Sequence, residues 1–84
     1  MKVNVLFFAS LKEDLGVSEI ELDVSELAGR SALFDSLTIE LGSDCVAPLL
    51  AENISIAVNR NIEKGEFVLK PGDEIAFLPP ITGG

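Results

Sequence analysis

Lys70-Pro71-Gly72-Asp73-Glu74-Ile75-Ala76-Phe77-Leu78-Pro79-Pro80 encodes a turn, a strand and a stop in direct succession. Proline presets the backbone at the turn's first central position, and glycine supplies the positive φ of the second. Glu74–Leu78 is mostly apolar, so it belongs in the interior of a sheet rather than at a solvated edge. Pro79-Pro80 must end that strand, because neither residue has an N–H to give to a ladder. The chain therefore leaves its folded body after Leu78, with Ile81-Thr82-Gly83-Gly84 still to come.

Upstream, Val3–Ala9 is apolar on both alternating series, as a central strand covered on parts of both faces would be. Ser18–Val24 alternates strictly, with Ile20, Leu22 and Val24 facing a core and the acids facing water. The two read as a hairpin whose long loop holds a short helical turn. Ser10 and Glu13 have capping-box spacing for that turn, and Gly16 is its stop. Ser31–Leu41 carries Leu33, Phe34, Leu37 and Leu41 on one helical stripe, closed by Gly42. Ala47–Leu50 is expected to add a helical turn and Ile54–Val58 a strand. Asn59-Arg60-Asn61 tolerates a tight turn, and a short edge strand is expected near Phe67–Leu69. Strand, strand, helix, strand, short strand, strand is the order of an α+β, β-grasp (ubiquitin-like) fold. It predicts a mixed four- to five-stranded sheet, one main helix across one face, and first and last strands parallel at the centre. Residues 1–78 would form the domain and residues 79–84 a flexible Gly-Gly tail.

Eighty-four residues suffice for one small domain with a modest core. The longest apolar stretch is broken by Lys12 and Glu13, short of a membrane span. The Met1–Ala9 start has something of a signal peptide's apolar region. Its single positive charge and valine-rich alternation fit a strand better, so a cytoplasmic location is expected. Fourteen acidic residues against six basic ones give a formal charge of −8. Such a surface disfavours nucleic acid and anionic membranes, which need cations to neutralise phosphate, and it suits a basic docking partner. The single cysteine, Cys45, cannot form an internal disulfide and reads as a buried thiol.

Internal catalysis finds no residues to run on. There is no histidine, and one cysteine is too few for a thiolate zinc site, so no metal site is expected. Gly-x-Gly-x-x-Gly and the Gly-Lys-Ser/Thr phosphate loop are both missing. Glu13-Asp14 and Asp73-Glu74 are sequence neighbours whose side chains diverge, so they read as solvated acids. What remains is the carboxylate of Gly84, a stable anion with a pKa of about 3.5 until another enzyme activates it. Gly83 and Gly84 could enter a narrow tunnel that excludes larger residues. Pro79-Pro80 would stiffen the base of such a tail. An inert glycine end remains the alternative.

Val5-Leu6-Phe7-Phe8-Ala9, Ala57-Val58-Asn59 and above all Gly72–Gly84 resemble the small subunit of molybdopterin synthase, the MoaD-like proteins. Ile81 departs from the family's usual valine. The resemblance implies a sulfur carrier without autonomous activity and with no cofactor bound by this chain. A ubiquitin-activating-like enzyme would use ATP to adenylate Gly84, and a sulfur donor would convert it to a thiocarboxylate. The sulfur would then pass to cyclic pyranopterin monophosphate in molybdenum cofactor biosynthesis. The implied partner is the large catalytic subunit, in a heterotetramer, with Gly84 reacting and Gly83, Thr82, Ile81, Pro80 and Pro79 lying in its tunnel. Phe7, Phe77 and Leu78 are candidates for core or interface. A carrier for thiamine thiazole or tRNA thiolation, a ubiquitin-like protein modifier, and a plain interaction module all stay open.

Overall fold

The structure, a computed structural model, describes residues 1–80. Among them, β1 (Lys2–Phe7), β2 (Glu19–Asp23), β3 (Ser55–Val58), β4 (Asn61–Ile62) and β5 (Glu74–Leu78) form one sheet in the order β2-β1-β5-β3-β4. β1 runs parallel to β5, with Val5 opposite Ile75 and Phe7 opposite Phe77; every other pairing is antiparallel. Helices α1 (Ser10–Leu15), α2 (Arg30–Leu41) and α3 (Ser43–Val46) and a 3-10 turn at Ala47–Leu50 complete the described chain. This is the β-grasp, ubiquitin-like architecture, a mixed five-stranded sheet with helices packed across it.

Alternation along the strands decides which face is covered. Val3, Val5, Phe7, Leu22, Ile56, Ile75 and Phe77 point to one side and are buried with Leu33 and Leu37 of α2. Phe77 organises this layer: Phe7 stacks on it at 5.7 Å, and Phe34 meets it edge-on at 5.8 Å. The aromatic contacts add to the burial of three large rings. No polar or charged side chain is buried among the described residues.

Several local expectations need correction. β1 ends at Phe7 rather than Ala9, and Ser10 is not a cap but the first residue of α1. The cause is the Phe8 carbonyl, which accepts the N–H of Leu11 and turns the chain out of the sheet. Phe67–Leu69 is no strand; β3 pairs instead with Asn61–Ile62. Leu69 N–H donates to Ala28 O, and the Phe67 ring lies 5.2 Å beneath the Arg30 guanidinium, so this segment packs on the start of α2. Gly29 is fixed by that contact, since a Cβ there would sit 3.1 Å from the Phe67 carbonyl oxygen. Cys45 is half-buried, because its neighbour Val46 takes the core position.

The Lys70–Asp73 turn forms as its sequence demands, with Gly72 at φ 82° and Asp73 N–H donating to Lys70 O. Asn59 ties this turn to the β3–β4 hairpin. Its Nδ2 donates to Asp73 Oδ1 at 2.9 Å, its Oδ1 accepts the Glu74 N–H at 3.0 Å, and its own N–H donates to Glu74 O. Asn59 and Arg60 both lie at positive φ, at 50° and 72°, where asparagine is tolerated and arginine is not favoured. Asn59→Ala is expected to cost about 1–2 kcal/mol in urea unfolding, and Arg60→Gly to leave stability unchanged or raised. A neutral Asn59→Ala would show that this clamp contributes nothing.

Candidate functional site

Among the described residues no helix covers the second face of the sheet, and its chemistry divides sharply. The row Glu19, Leu6, Ala76, Ala57, Ile62 crosses all five strands in register. Ala57 and Ala76 are buried despite lying on this face, so larger neighbours frame a shallow apolar floor. Toward the end of β5 stand Phe8 and Leu78. Toward its start, the next row brings Glu21, Asn4 and Glu74 together, with Lys2 and Asp23 beyond. Lys2 Nζ lies 3.7 Å from Glu21 and 3.8 Å from Asp23, all three well exposed, so these pairs add little stability. One end of the face is apolar and the other is acidic.

Pro79 explains why the apolar end is where it is. Phe8 N–H donates to Phe77 O at 3.3 Å, continuing the parallel ladder one residue past β1. The next bond of that pattern would come from the N–H of residue 79, and proline has none. The Phe8 carbonyl is therefore free to accept from Leu11. The ladder stops, α1 begins, and Phe8 is left 45% exposed. Phe8, Ile62, Leu78, Pro79 and Pro80, with Ala9 and Ser55, line a hollow of about 540 Å³. Ile62 is 50% exposed at the short edge strand.

The sequence-predicted residues are distributed unevenly. Pro79 and Pro80 line the hollow, and half-buried Leu78 joins them there. Phe7 and Phe77 do not: at 2% and 0% exposure they are core residues, pointing to the helical face. Their candidacy as interface residues is corrected by strand parity, which sends Phe7 inward and its neighbour Phe8 outward. Phe8 and Ile62 were missed by the sequence reading. Parity around Phe7 was the available signal for the first, whereas Ile62 required the true hairpin partner of β3. Gly84, Gly83, Thr82 and Ile81 lie outside the described residues.

Among the described residues, no group of three His, Cys, Asp or Glu side chains is placed to hold a metal ion, and no helix is long and apolar enough to cross a membrane. The face can bind by apolar contact and by charge. Its described side chains assemble no nucleophile with a base.

The ThiS family profile matches residues 5–84, which includes both the apolar face and the Pro-Pro segment leaving it. The chain belongs to the ThiS family. Within that family it is 38% identical, over 98% of its length and 99% of the relative's, to a molybdopterin synthase sulfur carrier subunit from Haemophilus influenzae. This agrees with the likeness read from the Gly72–Gly84 block. In fold it is similar to SAMP1 from Haloferax volcanii, with a TM-score of 0.84, 23% identity and full coverage of both chains. It also resembles a chain in the complex of subunits 1 and 2 of the molybdopterin-converting factor from Helicobacter pylori. There the TM-score is 0.66 at 27% identity, again over all of both chains.

The division between core and surface phenylalanines has a direct test. Phe77→Ala should cost about 3–5 kcal/mol in chemical unfolding, and Phe8→Ser less than about 1 kcal/mol. Equal losses would mean that Phe8 belongs to the core.

Proposed function

We propose that this ThiS-family chain is the sulfur carrier of a molybdopterin synthase, with residues 1–78 as the docking body and residues 79–84 as the reactive tail. The observation that carries this reading is the end-to-end similarity to a molybdopterin synthase sulfur carrier subunit. The uncovered apolar face at Pro79-Pro80 supports it, since a donor tail needs a surface beside it that a partner can grip.

In this reading, the Gly84 carboxylate attacks the α-phosphorus of ATP on a ubiquitin-activating-like enzyme, and pyrophosphate leaves. Hydrosulfide supplied by a sulfur donor attacks the acyl carbon, AMP leaves, and Gly84 carries a thiocarboxylate. Ile81-Thr82-Gly83-Gly84 enters the large catalytic subunit, where the sulfur attacks the pterin precursor. Water then cleaves the acyl–sulfur bond and returns the carboxylate. Acid–base and substrate-binding groups come from the large subunit, and this chain supplies sulfur and docking. Phe8, Ile62 and Leu78 grip the partner, while Glu21, Asp23 and Glu74 face its basic surface.

Incubating the full chain with ATP, a sulfur donor and the activating enzyme should raise its intact mass by the difference between sulfur and oxygen. An unchanged mass with a competent enzyme overturns the carrier reading, and thiol-resistant high-mass adducts would indicate a protein modifier instead. Deleting Gly84, or adding one residue after it, should abolish sulfur transfer without lowering the melting temperature. Ile62→Asp should weaken association with the large subunit at least about tenfold, because it places a charge in a desolvated contact. Full activity in these variants would refute the tail and face assignments.

A further inference from the structure

We propose that the outer edge of β2 binds an extended segment of a partner protein, with lysine or arginine at alternate positions, as a sixth strand of the sheet. The inference goes beyond the carrier reading and makes no use of the tail.

β1 and β2 exchange hydrogen bonds through alternate residue pairs. Met1 N donates to Val24 O at 2.7 Å, and Val24 N–H returns a bond to Met1 O at 2.8 Å. At the other end of the pair, Phe7 N–H donates to Ser18 O at 2.9 Å. With Val3 opposite Leu22 and Val5 opposite Ile20, the even-numbered residues of β2 turn their backbone groups toward β1. The N–H and C=O groups of Glu19, Glu21 and Asp23 therefore point outward. None of them has a backbone partner among the described residues, because β2 is the first strand of the sheet and pairs with β1 alone.

This edge runs for five residues without proline or glycine, whereas β4 at the opposite rim has two residues. Parity sends Leu22 and half-buried Ile20 to the helical face, so the same three outward-pointing residues carry exposed carboxylates on the open face. An antiparallel strand added here would set one residue directly opposite each acid, at the spacing where opposite charges attract. Its intervening residues would lie beside Ile20 and Leu22, which favours apolar side chains there. A second copy of this chain is a poor occupant. Antiparallel pairing of β2 with itself about Glu21 sets Glu21 against Glu21 and Glu19 against Asp23, all like charges. Lys2 lies 3.7 Å from Glu21 and 3.8 Å from Asp23, but these pairs are exposed and weak, so an incoming strand can displace them. Glu19 makes no ion pair among the described residues. The edge thus repels its own kind and accepts a basic strand: backbone bonds supply affinity, and the carboxylates select the partner.

The probe is a short synthetic peptide that alternates lysine with valine and is blocked at both ends. A second peptide carries N-methyl groups on its lysine amides, which keeps every charge and removes the N–H groups that would bond to β2. Each is titrated into the isotope-labelled full-length chain and followed by amide NMR and hydrogen exchange. With the first peptide, the amide signals of Glu19, Glu21 and Asp23 should shift together and their exchange should slow. The N-methylated peptide should bind at least about tenfold more weakly, having lost its side of the ladder. Glu21→Lys should weaken binding of the unmodified peptide about fivefold at an unchanged melting temperature. Equal binding of the two peptides would reduce the effect to diffuse charge attraction and overturn the inference. So would shifts centred on acids elsewhere, such as Glu13, Asp35 or Glu52, or an absence of binding. Failure of the mass-shift experiment would bring down the carrier reading and leave this result standing.

Discussion

The parallel pairing of β1 with β5 sets Asn4–Phe7 against Glu74–Phe77, and Pro79 has no N–H with which to extend it. Two consequences follow from this single missing donor. The Phe8 carbonyl turns inward to start α1, and the chain beyond Leu78 is released from the sheet at its centre. A terminal strand placed at an edge would release its tail at the rim. Here Pro79 and Pro80 leave the sheet between β1 and β3, and the hollow beside them is lined by residues at or next to the ends of β1, β3, β4 and β5. The central parallel pair thus links the core to the candidate site, because Phe77 anchors one face while Leu78 opens onto the other.

Separation of the two faces puts the buried core and the open apolar surface on different residues. The rings of Phe7, Phe34 and Phe77 and the leucines of α2 lie wholly on the helical side. Phe8, Ile62 and Leu78 lie on the other side and are at least partly exposed. A surface of this kind can diverge toward a new partner without disturbing the core. The acidic rows behind it have few cations to neutralise them, and six basic residues against fourteen acidic ones extend that bias over the whole chain.

Much of this was legible in the sequence for definite reasons. Glu74–Leu78 was bounded by a proline–glycine turn and a proline pair, so its position and end followed from backbone chemistry alone. The Ser31–Leu41 stripe found α2 to within one residue. Phe67–Leu69 misled because an apolar run of three fits a strand equally well as a loop packed beneath an arginine. Asn61–Ile62 was too short to show alternation, and with it went the pairing that puts Ile62 on the open face. The surface role of Phe8 was hidden for a different cause. Two adjacent phenylalanines have the same hydrophobicity, and only strand parity separates the one that stacks on Phe77 from the one that faces outward. The positive φ of Ala9, 54°, had no sequence signal, since alanine is unremarkable in composition.

The open face is apolar at one end and acidic at the other, so it can bind by contact and by charge. Its apolar floor is built on two alanines and framed by a few larger side chains. The surrounding acids act mainly on the rate of encounter with a basic surface. Pro79 and Pro80 line one side of the hollow, and Phe8 and Ala9 line another. The constraint at the centre of the sheet thereby reaches the surface as shape: Pro79, without an N–H, ends the ladder and leaves Phe8 exposed beside the hollow.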